Sequence, residues 1–310
     1  MDDRYEPFVP APADGVTAER RSSWFPWRDM SVCVEHVGAP DAPVRLVLLH
    51  GAGGNAAAMW PFASRFAALG AHVTVPDLPG YGLTRVADRA GVRYEHWRDV
   101  VADLVRAEAD DRPLVLLGAS MGGLLAYDVA AATGLASSLV VTCLLDPRER
   151  DVRARLSWHP LLGALAGPVL HVAAGPLARV QVPIRWIADM RHISNDPRLV
   201  RAVVRDRAGG GGRMPLGWMR SFLEWVPAVE PEELTGTPVL MAHPALDRWT
   251  PLAISARFFD RISAPTELVL LDGAGHFPVE QPGFDQLLAA VARVVGGLTH
   301  PDAAPAAVPA

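Results

Sequence analysis

The most informative part of the chain is Leu114-Val-Leu-Leu-Gly118-Ala119-Ser120-Met121-Gly122-Gly123-Leu-Leu-Ala. It starts with a continuous apolar run that predicts a buried strand, and it ends with helical spacing. The Gly-x-Ser-x-Gly turn between them is so tight that side chains at Gly118 and Gly122 would clash with their neighbours. This tightness lifts the Ser120 hydroxyl out between the end of a strand and the start of a helix, where a serine can act as a nucleophile. The alternative is a structural serine, because Gly-x-Ser-x-Gly by itself often occurs by chance.

The same alternation of strand and helix patterns continues along most of the chain. Short apolar runs predict strands at 44–49, 72–75, 114–117, 139–145, 239–242 and 267–271, and helical spacing predicts helices at 56–69, 96–109 and 121–132. Most of the strand runs are continuous, as expected for parallel strands that are covered on both faces. Residues 31–37 alternate more, so we expect them to add an antiparallel strand. The pattern predicts an α/β fold with a mostly parallel central sheet and helices on both faces.

The alternation stops between residues 148 and 235, which have several helical patterns and no strong strand. Strand-like runs resume afterwards, which predicts a helical cap (148–235) inserted into one core (24–147 and 236–299), with flexible tails at 1–23 and 300–310. The insert has 13 arginines and nine acidic residues, whereas the remainder has a net charge of −9. A basic cap on an acidic core favours an anionic substrate or weak contact with a membrane surface. The alternative is that these arginines are solvated on helix surfaces.

Composition excludes several classes of function. The chain has 310 residues and a net charge of −5, and its 29 basic residues are all arginine. Without lysine it has no Schiff-base chemistry, no pyridoxal phosphate attachment and no P-loop lysine. The mildly acidic balance gives no overall attraction for nucleic acid. Cys33 and Cys143 lie in apolar runs and are expected to be buried free thiols, and no spacing of His, Cys and carboxylate residues indicates a metal site.

The N-terminal residues lack the basic and apolar regions of a signal peptide. No uninterrupted apolar run reaches the roughly 18 residues that a membrane span requires. These two features favour a cytoplasmic protein.

On the turn around Ser120, the chain resembles the serine hydrolases of the α/β-hydrolase fold. Three further segments agree with that family in order and spacing: His50-Gly-Ala-Gly-Gly-Asn55, Val239-Leu-Met-Ala-His243-Pro-Ala-Leu-Asp247-Arg-Trp249-Thr-Pro251, and Leu270-Leu-Asp272-Gly-Ala-Gly-His276-Phe-Pro278. The resemblance covers residues 24–299 and is specific for the family rather than for one activity.

The resemblance implies a role for each matching residue and no cofactor. Ser120 is the implied nucleophile, His276 the general base and Asp247 the acid that orients the histidine. The backbone N–H groups of Ala52 and Met121 are the implied oxyanion-hole donors. Asp146, at the end of the run 139–145, is a competing candidate for the acid. The turn at 77–82 and the side chains of His50 and His243 are interpreted as structural.

The turn around Ser120 and the segment after 44–49 are similar to those of monoacylglycerol lipases, lysophospholipases and carboxylesterases. This similarity implies a small-molecule ester substrate, with a lipophilic monoacyl ester as the first interpretation. A carbon–carbon bond hydrolase of the same fold, a cofactor-free haloperoxidase and a non-catalytic ligand-binding homologue remain alternatives. Dehalogenases and epoxide hydrolases are disfavoured because the corresponding members have Asp at position 120, and dienelactone hydrolases would have Cys there.

Tryptophans are the candidate walls of a substrate pocket. Trp249 follows the proposed acid, and Trp186 and Trp218 lie in the predicted cap, together with Trp158 and Trp225. Packing between helices is the alternative role for each of them. The four glycines at 209–212 predict either a hinge or a flexible loop.

Overall fold

The computed structural model describes residues 4–11, 19–157, 175–186 and 188–299. Within them a central sheet has the strand order β1-β2-β4-β3-β6-β7-β10-β11, with β5 paired to β2, and β8 pairs with β9 in a separate sheet. The strands are β1 (Arg21–Trp27), β2 (Met30–Val37), β3 (Val44–Leu49), β4 (Ala71–Pro76), β5 (Arg85–Val86), β6 (Leu114–Gly118), β7 (Ser138–Val141), β8 (Gln181–Pro183), β9 (Arg213–Pro215), β10 (Val239–Pro244) and β11 (Thr266–Leu271). The pairs from β4 to β11 are parallel, whereas β2 is antiparallel to β1, β4 and β5.

Helices cover both faces of this sheet. They are α1 (Ala56–Ala68), α2 (Tyr94–Ala107), α3 (Met121–Thr133), α4 (Arg150–Leu156), α5 (Pro197–Arg205), α6 (Leu216–Leu223), α7 (Leu252–Phe259) and α8 (Gly283–Thr299), with short 3₁₀-helices at Glu6–Phe8, Arg89–Gly91, Gly175–Arg179, Ile184–Trp186, Met190–His192 and Pro231–Glu233. Helix α1 packs against α8, and α2 packs against α3. Every residue of β3, β6, β7 and β10 is buried, which explains why their sequences are continuous apolar runs rather than alternating ones.

The predicted fold class is confirmed, and the predicted core strands lie within a few residues of the observed ones. The exception is the run 139–145, because its strand pairing ends at Val141. Beyond that point the chain turns toward the end of β6, where Thr142 N donates to Gly118 O. Apolar side chains continue to residue 145 because the segment stays buried after the strand has ended.

The prediction of a flexible tail over 1–23 is wrong for the described part of that segment. Tyr5 is only 2% exposed, and its hydroxyl donates to Asp206 Oδ2 at 2.9 Å. Arg65 Nη1 donates to Glu6 Oε1 at 2.9 Å, and β1 already begins at Arg21. Polar composition suggested a tail, but these contacts are to residues far away in the chain. The predicted tail at 300–310 lies outside the described residues.

The segment 148–235 lies between β7 and β10, which pair directly with each other. It contains α4, α5 and α6, as the helical patterns predicted. It also contains the antiparallel pair β8–β9, which the sequence analysis did not predict because each strand has only three residues. Residues 158–174, including Trp158, lie outside the described part of the chain.

Candidate active site

Ser120 occupies a strained turn between β6 and α3. Its φ is 55° and its ψ is −127°, a conformation that side chains rarely adopt. A Cβ on Gly118 would lie 2.0 Å from Gly122 O, and a Cβ on Gly122 would lie 2.3 Å from Leu49 O. The turn therefore requires glycine at both positions, as the sequence analysis expected.

The fold brings Ser120, His276 and Asp247 into one chain of hydrogen bonds. His276 Nε2 lies 2.7 Å from Ser120 Oγ, and His276 Nδ1 lies 2.8 Å from Asp247 Oδ2. The three residues come from loops that follow β6, β10 and β11. Since these parallel strands point the same way, the loops meet at one edge of the sheet.

Both carboxylate oxygens of Asp247 accept hydrogen bonds. Oδ1 accepts from the N–H groups of Trp249 and Thr250 at 2.8 and 2.9 Å, and Oδ2 accepts from Thr250 Oγ1 at 2.8 Å. Burial acts to raise the pKa of Asp247, but the charge of His276 and these hydrogen bonds outweigh it. The pKa therefore lies well below its usual range, and Asp247 is ionised whenever the protein is folded near neutral pH.

The competing acid, Asp146, does not contact the histidine. Its carboxylate is held by Arg148, whose Nη2 donates to Asp146 Oδ2 at 2.7 Å, and Arg148 also binds Glu230. Within the described residues, Asp247 is the only carboxylate on His276.

The loop after β3 lies directly against the Ser120 turn. A Cβ added at Gly51 would lie 3.0 Å from Ser120 Cβ and 3.2 Å from Met121 N. Neither the Ala52 N–H nor the Met121 N–H donates a hydrogen bond to another described residue. Ala52 and Met121 line the same cavity as Ser120, so their N–H groups are the candidate donors to an oxygen bound there.

His50 stabilises this loop. Its Nε2 accepts a hydrogen bond from Leu78 N at 3.1 Å, so its Nδ1 carries the proton and donates to Gly51 O at 2.9 Å. Complete burial lowers the pKa of His50 to about 4, which keeps the ring neutral. His243 is also buried, with Nδ1 at 3.1 Å from Thr142 O.

Several residues that support the site were missed by the sequence analysis. Thr142 Oγ1 accepts a hydrogen bond from Ser120 N, and Thr250 holds Asp247 as described above. Asp206, in the inserted segment, accepts from Asn55 Nδ2 at 2.9 Å, and Asn55 caps the start of α1. A polar residue before a helix was a usable signal for Asn55, but nothing local indicates the partners of Asp206.

The four glycines at 209–212 make close contacts. A Cβ on Gly209 would lie 2.7 Å from Gly53 O, and one on Gly211 would lie 2.5 Å from Val204 O. The N–H groups of Gly209 and Gly211 donate to Asp206 O at 3.0 and 2.8 Å. Small residues are needed here because this segment packs against the loop that carries Ala52.

A cavity of about 120 Å³ opens at Ser120. It is lined mainly by apolar side chains of the inserted segment and by the loops of the core: Leu145, Leu156, Ile184, Met214, Trp218, Met219, Phe222, Leu223 and Trp249. The Trp249 ring also lies 4.8 Å from the His276 ring, measured between centroids. Trp186 is 63% exposed and does not line this cavity, so its predicted pocket position is wrong. Trp225 is buried elsewhere, against Asp128.

The two cysteines are both free and buried, as expected. Burial raises the pKa of Cys143 to about 12, so its thiol stays protonated. The described residues contain no group of three or more His, Cys, Asp or Glu side chains that could hold a metal ion. None of the helices in the described ranges is long and apolar enough to cross a membrane.

Comparison with known proteins places this geometry in a family. A model described as "Alpha/beta hydrolase family" matches residues 46–287. The chain belongs to the alpha/beta hydrolase family. This agrees with the resemblance on the turn around Ser120 and on the segments that carry Asp247 and His276.

Among curated family relatives, protein phosphatase methylesterase 1 of Mus musculus is 36% identical over 113 residues, which cover 35% of this chain and 28% of that protein. The probable protein phosphatase methylesterase 1 of Caenorhabditis elegans is 27% identical over 195 residues, which cover 57% of this chain and 50% of that protein. The chain therefore matches half or less of the length of these relatives.

Solved structures with the same fold include two lipases. A soluble variant of the monoglyceride lipase of Saccharomyces cerevisiae, in complex with a substrate analogue, superposes with a TM-score of 0.75 at 16% identity, covering 94% of this chain and 99% of that one. The monoacylglycerol lipase of Paleococcus ferrophilus gives a TM-score of 0.68 at 18% identity, covering 91% of this chain and 100% of that one. At these identities the likeness concerns the fold.

Proposed function

We propose that this protein is a carboxylic-ester hydrolase that works through an acyl-enzyme on Ser120. The observation that carries the proposal is the hydrogen-bonded series Ser120–His276–Asp247 at the mouth of an apolar cavity. Nucleophile, base and orienting acid stand in the order and at the distances that acyl transfer requires. The methylesterase names of the curated relatives support an ester as the scissile group.

In the proposed first half-reaction, His276 Nε2 takes the proton of Ser120 Oγ as this oxygen attacks the ester carbonyl carbon. Asp247 accepts the hydrogen bond from His276 Nδ1–H, so Nε2 has its lone pair free and the imidazolium that forms is stabilised. His276 then gives the proton to the departing alkoxide oxygen, which leaves as the alcohol. The acyl group stays on Ser120.

The negative charge of the tetrahedral intermediate would be bound by the N–H groups of Ala52 and Met121. Each such donor contributes about 3 kcal/mol to lowering the barrier in comparable sites. In the second half-reaction a water molecule, deprotonated by His276, attacks the acyl carbon. The bond from this carbon to Ser120 Oγ then breaks, His276 returns the proton to Ser120 Oγ, and the carboxylic acid is released. The same two N–H groups serve both intermediates because the carbonyl oxygen stays in place.

We infer a lipophilic monoacyl ester as the substrate class, of the monoacylglycerol or lysophospholipid type. The largely apolar lining around Ser120 supports this, because an acyl chain gains about 0.8 kcal/mol for each methylene that leaves water. The similarity in fold to two monoacylglycerol lipases agrees with it.

The test is labelling with a fluorophosphonate probe, followed by turnover of p-nitrophenyl esters with acyl chains of increasing length. The wild type should be labelled and should prefer medium or long chains, and Ser120→Ala should lose both properties while keeping its melting temperature. Absence of labelling would refute the proposal. Labelling without ester turnover would favour the carbon–carbon hydrolase or a ligand-binding homologue.

A further inference from the structure

The cavity at Ser120 has a single charged side chain among its described lining residues. Arg153, on α4, borders it together with the apolar side chains of Leu156 and Trp249. Within the described part of the chain no carboxylate lies within ion-pair distance of Arg153. The guanidinium is a cation, so the part of the lining that the structure describes holds a positive charge without a negative one.

Backbone carbonyl groups hold the guanidinium of Arg153 in place, but only one of its nitrogens makes hydrogen bonds to described residues. Its Nη1 donates to the carbonyl oxygens of Pro147 and Arg148 at 3.1 and 2.6 Å. Its Nε is buried and donates to no described residue. Arg153 is half-buried, and its Nη2 is not among the buried atoms and donates to no described residue, so Nη2 is the atom that can bind an anion.

Two other polar atoms, on residues that line the cavity, are closed off from it and make no hydrogen bond of normal geometry. They are Tyr81 Oη and Trp218 Nε1, on side chains that are 2% and 4% exposed. Burial raises the pKa of Tyr81 above its usual range, with only partial compensation from the Gly53 amide, so its hydroxyl keeps its proton. Tyr81 and Trp218 both pack on Trp97, at 5.6 and 4.6 Å between ring centroids.

Arg153 Nε is closed off in the same way, so a ligand in the cavity meets the guanidinium through Nη2. The described lining therefore has one positive charge and no negative one. A saturated acyl chain supplies neither an acceptor nor a negative charge, whereas a carboxylate or a phosphate supplies both.

We propose that the substrate is an ester that also carries an oxyanion group, a carboxylate or a phosphate, which pairs with Arg153 inside the cavity. This inference rests on the proposed ester hydrolysis and narrows its substrate class. Within monoacyl esters it favours those with an anionic group over the neutral monoacylglycerols. Arg153 is then the specificity-determining residue, and the apolar lining binds the carbon chain between the two ends.

Two substrate pairs test the proposal by kcat/KM. The first pair is the mono-p-nitrophenyl ester of glutaric acid and its neutral isostere, in which an isopropyl group replaces the carboxylate. The second pair is a monoacylglycerol phosphate and the monoacylglycerol with the same acyl chain. The first pair places a carboxylate on the acyl side and the second a phosphate on the alcohol side, so the two pairs distinguish the sources of the anion.

The wild type should prefer the anionic member of at least one pair by about tenfold or more, since a hydrogen-bonded charge pair shielded from water is worth that factor. Arg153→Met should lose this preference, measured as the ratio of kcat/KM within each pair, and Arg153→Lys should recover part of it. The matched control is Arg150→Met, which removes the same charge from an exposed position on the same helix and should keep the full preference.

Equal rates for both members of both pairs in the wild type would overturn the proposal, as would a preference that survives in Arg153→Met. A preference lost equally in Arg150→Met would also overturn it, because the overall charge of the helix would then be the cause. Thermal unfolding of each variant checks that it is folded. Turnover of the neutral esters and fluorophosphonate labelling of Ser120 report separately on the proposed hydrolase activity, so its failure is distinguishable.

Discussion

Replacing Asp247 by asparagine tests the proposed acid in a way that the structure makes specific. The carboxylate Oδ1 accepts two backbone N–H groups, from Trp249 and Thr250, which only an oxygen can do. In Asp247→Asn the amide oxygen will therefore stay at the Oδ1 position. The amide nitrogen must then take the place of Oδ2, at 2.8 Å from His276 Nδ1.

This exchange reverses the hydrogen bond to the histidine. An amide nitrogen donates, so His276 Nδ1 must accept and the ring proton moves to Nε2. Nε2 then carries a proton, and it can no longer accept the one from Ser120 Oγ at 2.7 Å. The same change of tautomer lowers kcat by about ten-thousandfold in serine proteases, which corresponds to about 5 kcal/mol in the barrier. We expect a loss of that size here, with little change in KM.

The assay is steady-state turnover of a p-nitrophenyl ester, together with the rate of labelling by a fluorophosphonate. Asp146→Asn is the matched control. Its carboxylate binds Arg148 instead of the histidine, so activity should stay within about tenfold of the wild type. Stability can fall in either variant, so both are compared at a temperature where thermal unfolding shows them to be fully folded.

The reasoning is refuted if Asp247→Asn keeps more than about a tenth of the wild-type kcat. It is also refuted if Asp146→Asn shows the larger loss, because Asp146 would then be the acid. Equal and moderate losses in both variants would mean that neither carboxylate sets the tautomer of His276.

Two other substitutions test the packing around the site. Gly122→Ala would place a Cβ 2.3 Å from the Leu49 carbonyl oxygen, so we expect slower labelling of Ser120 and a lower melting temperature. The control is Gly296→Ala, which has open space around the added Cβ and should leave stability unchanged or increase it. Burial raises the pKa of Asp128 to about 7 despite its hydrogen bonds from Trp225 and two other donors. The folded state therefore keeps a proton that the unfolded chain loses near pH 4. As pH rises from about 4 to 7, the free energy of unfolding of the wild type should fall by a few kcal/mol relative to that of Asp128→Asn. A difference in denaturant midpoints that stays constant over this range would contradict it.

The sequence was informative wherever one local rule controls the structure. The core strands were found because strands covered on both faces have continuous apolar runs. The Ser120 turn was found because its glycines are a steric requirement. By contrast, β1 was missed because most of its side chains are exposed, and β8 and β9 because three residues are too few for a pattern to emerge.

For the candidate site, the sequence predicted some residues and left others undecided. The resemblance to a family named Ser120, His276 and Asp247, and the fold brings these three side chains together. Spacing alone left Asp146 open as the acid, since it also follows a sheet strand. Contacts in the folded chain separate the two candidates, because Asp247 Oδ2 lies 2.8 Å from His276 Nδ1 whereas Asp146 binds Arg148. Composition also could not distinguish the tryptophan of the cavity wall, Trp218, from the exposed Trp186.

What the chain specifies locally is the turn that strains Ser120, the strand and helix that flank it, and the absence of lysine chemistry. These depend on sterics and residue type within a few positions. The tertiary structure specifies which acid faces His276 and which arginine borders the cavity. It also specifies how Asp206 supports the loop of Ala52 from about 150 residues away. Such contacts arise from packing between distant segments, and the free energy that selects them depends on burial and charge pairing that no single stretch of sequence contains.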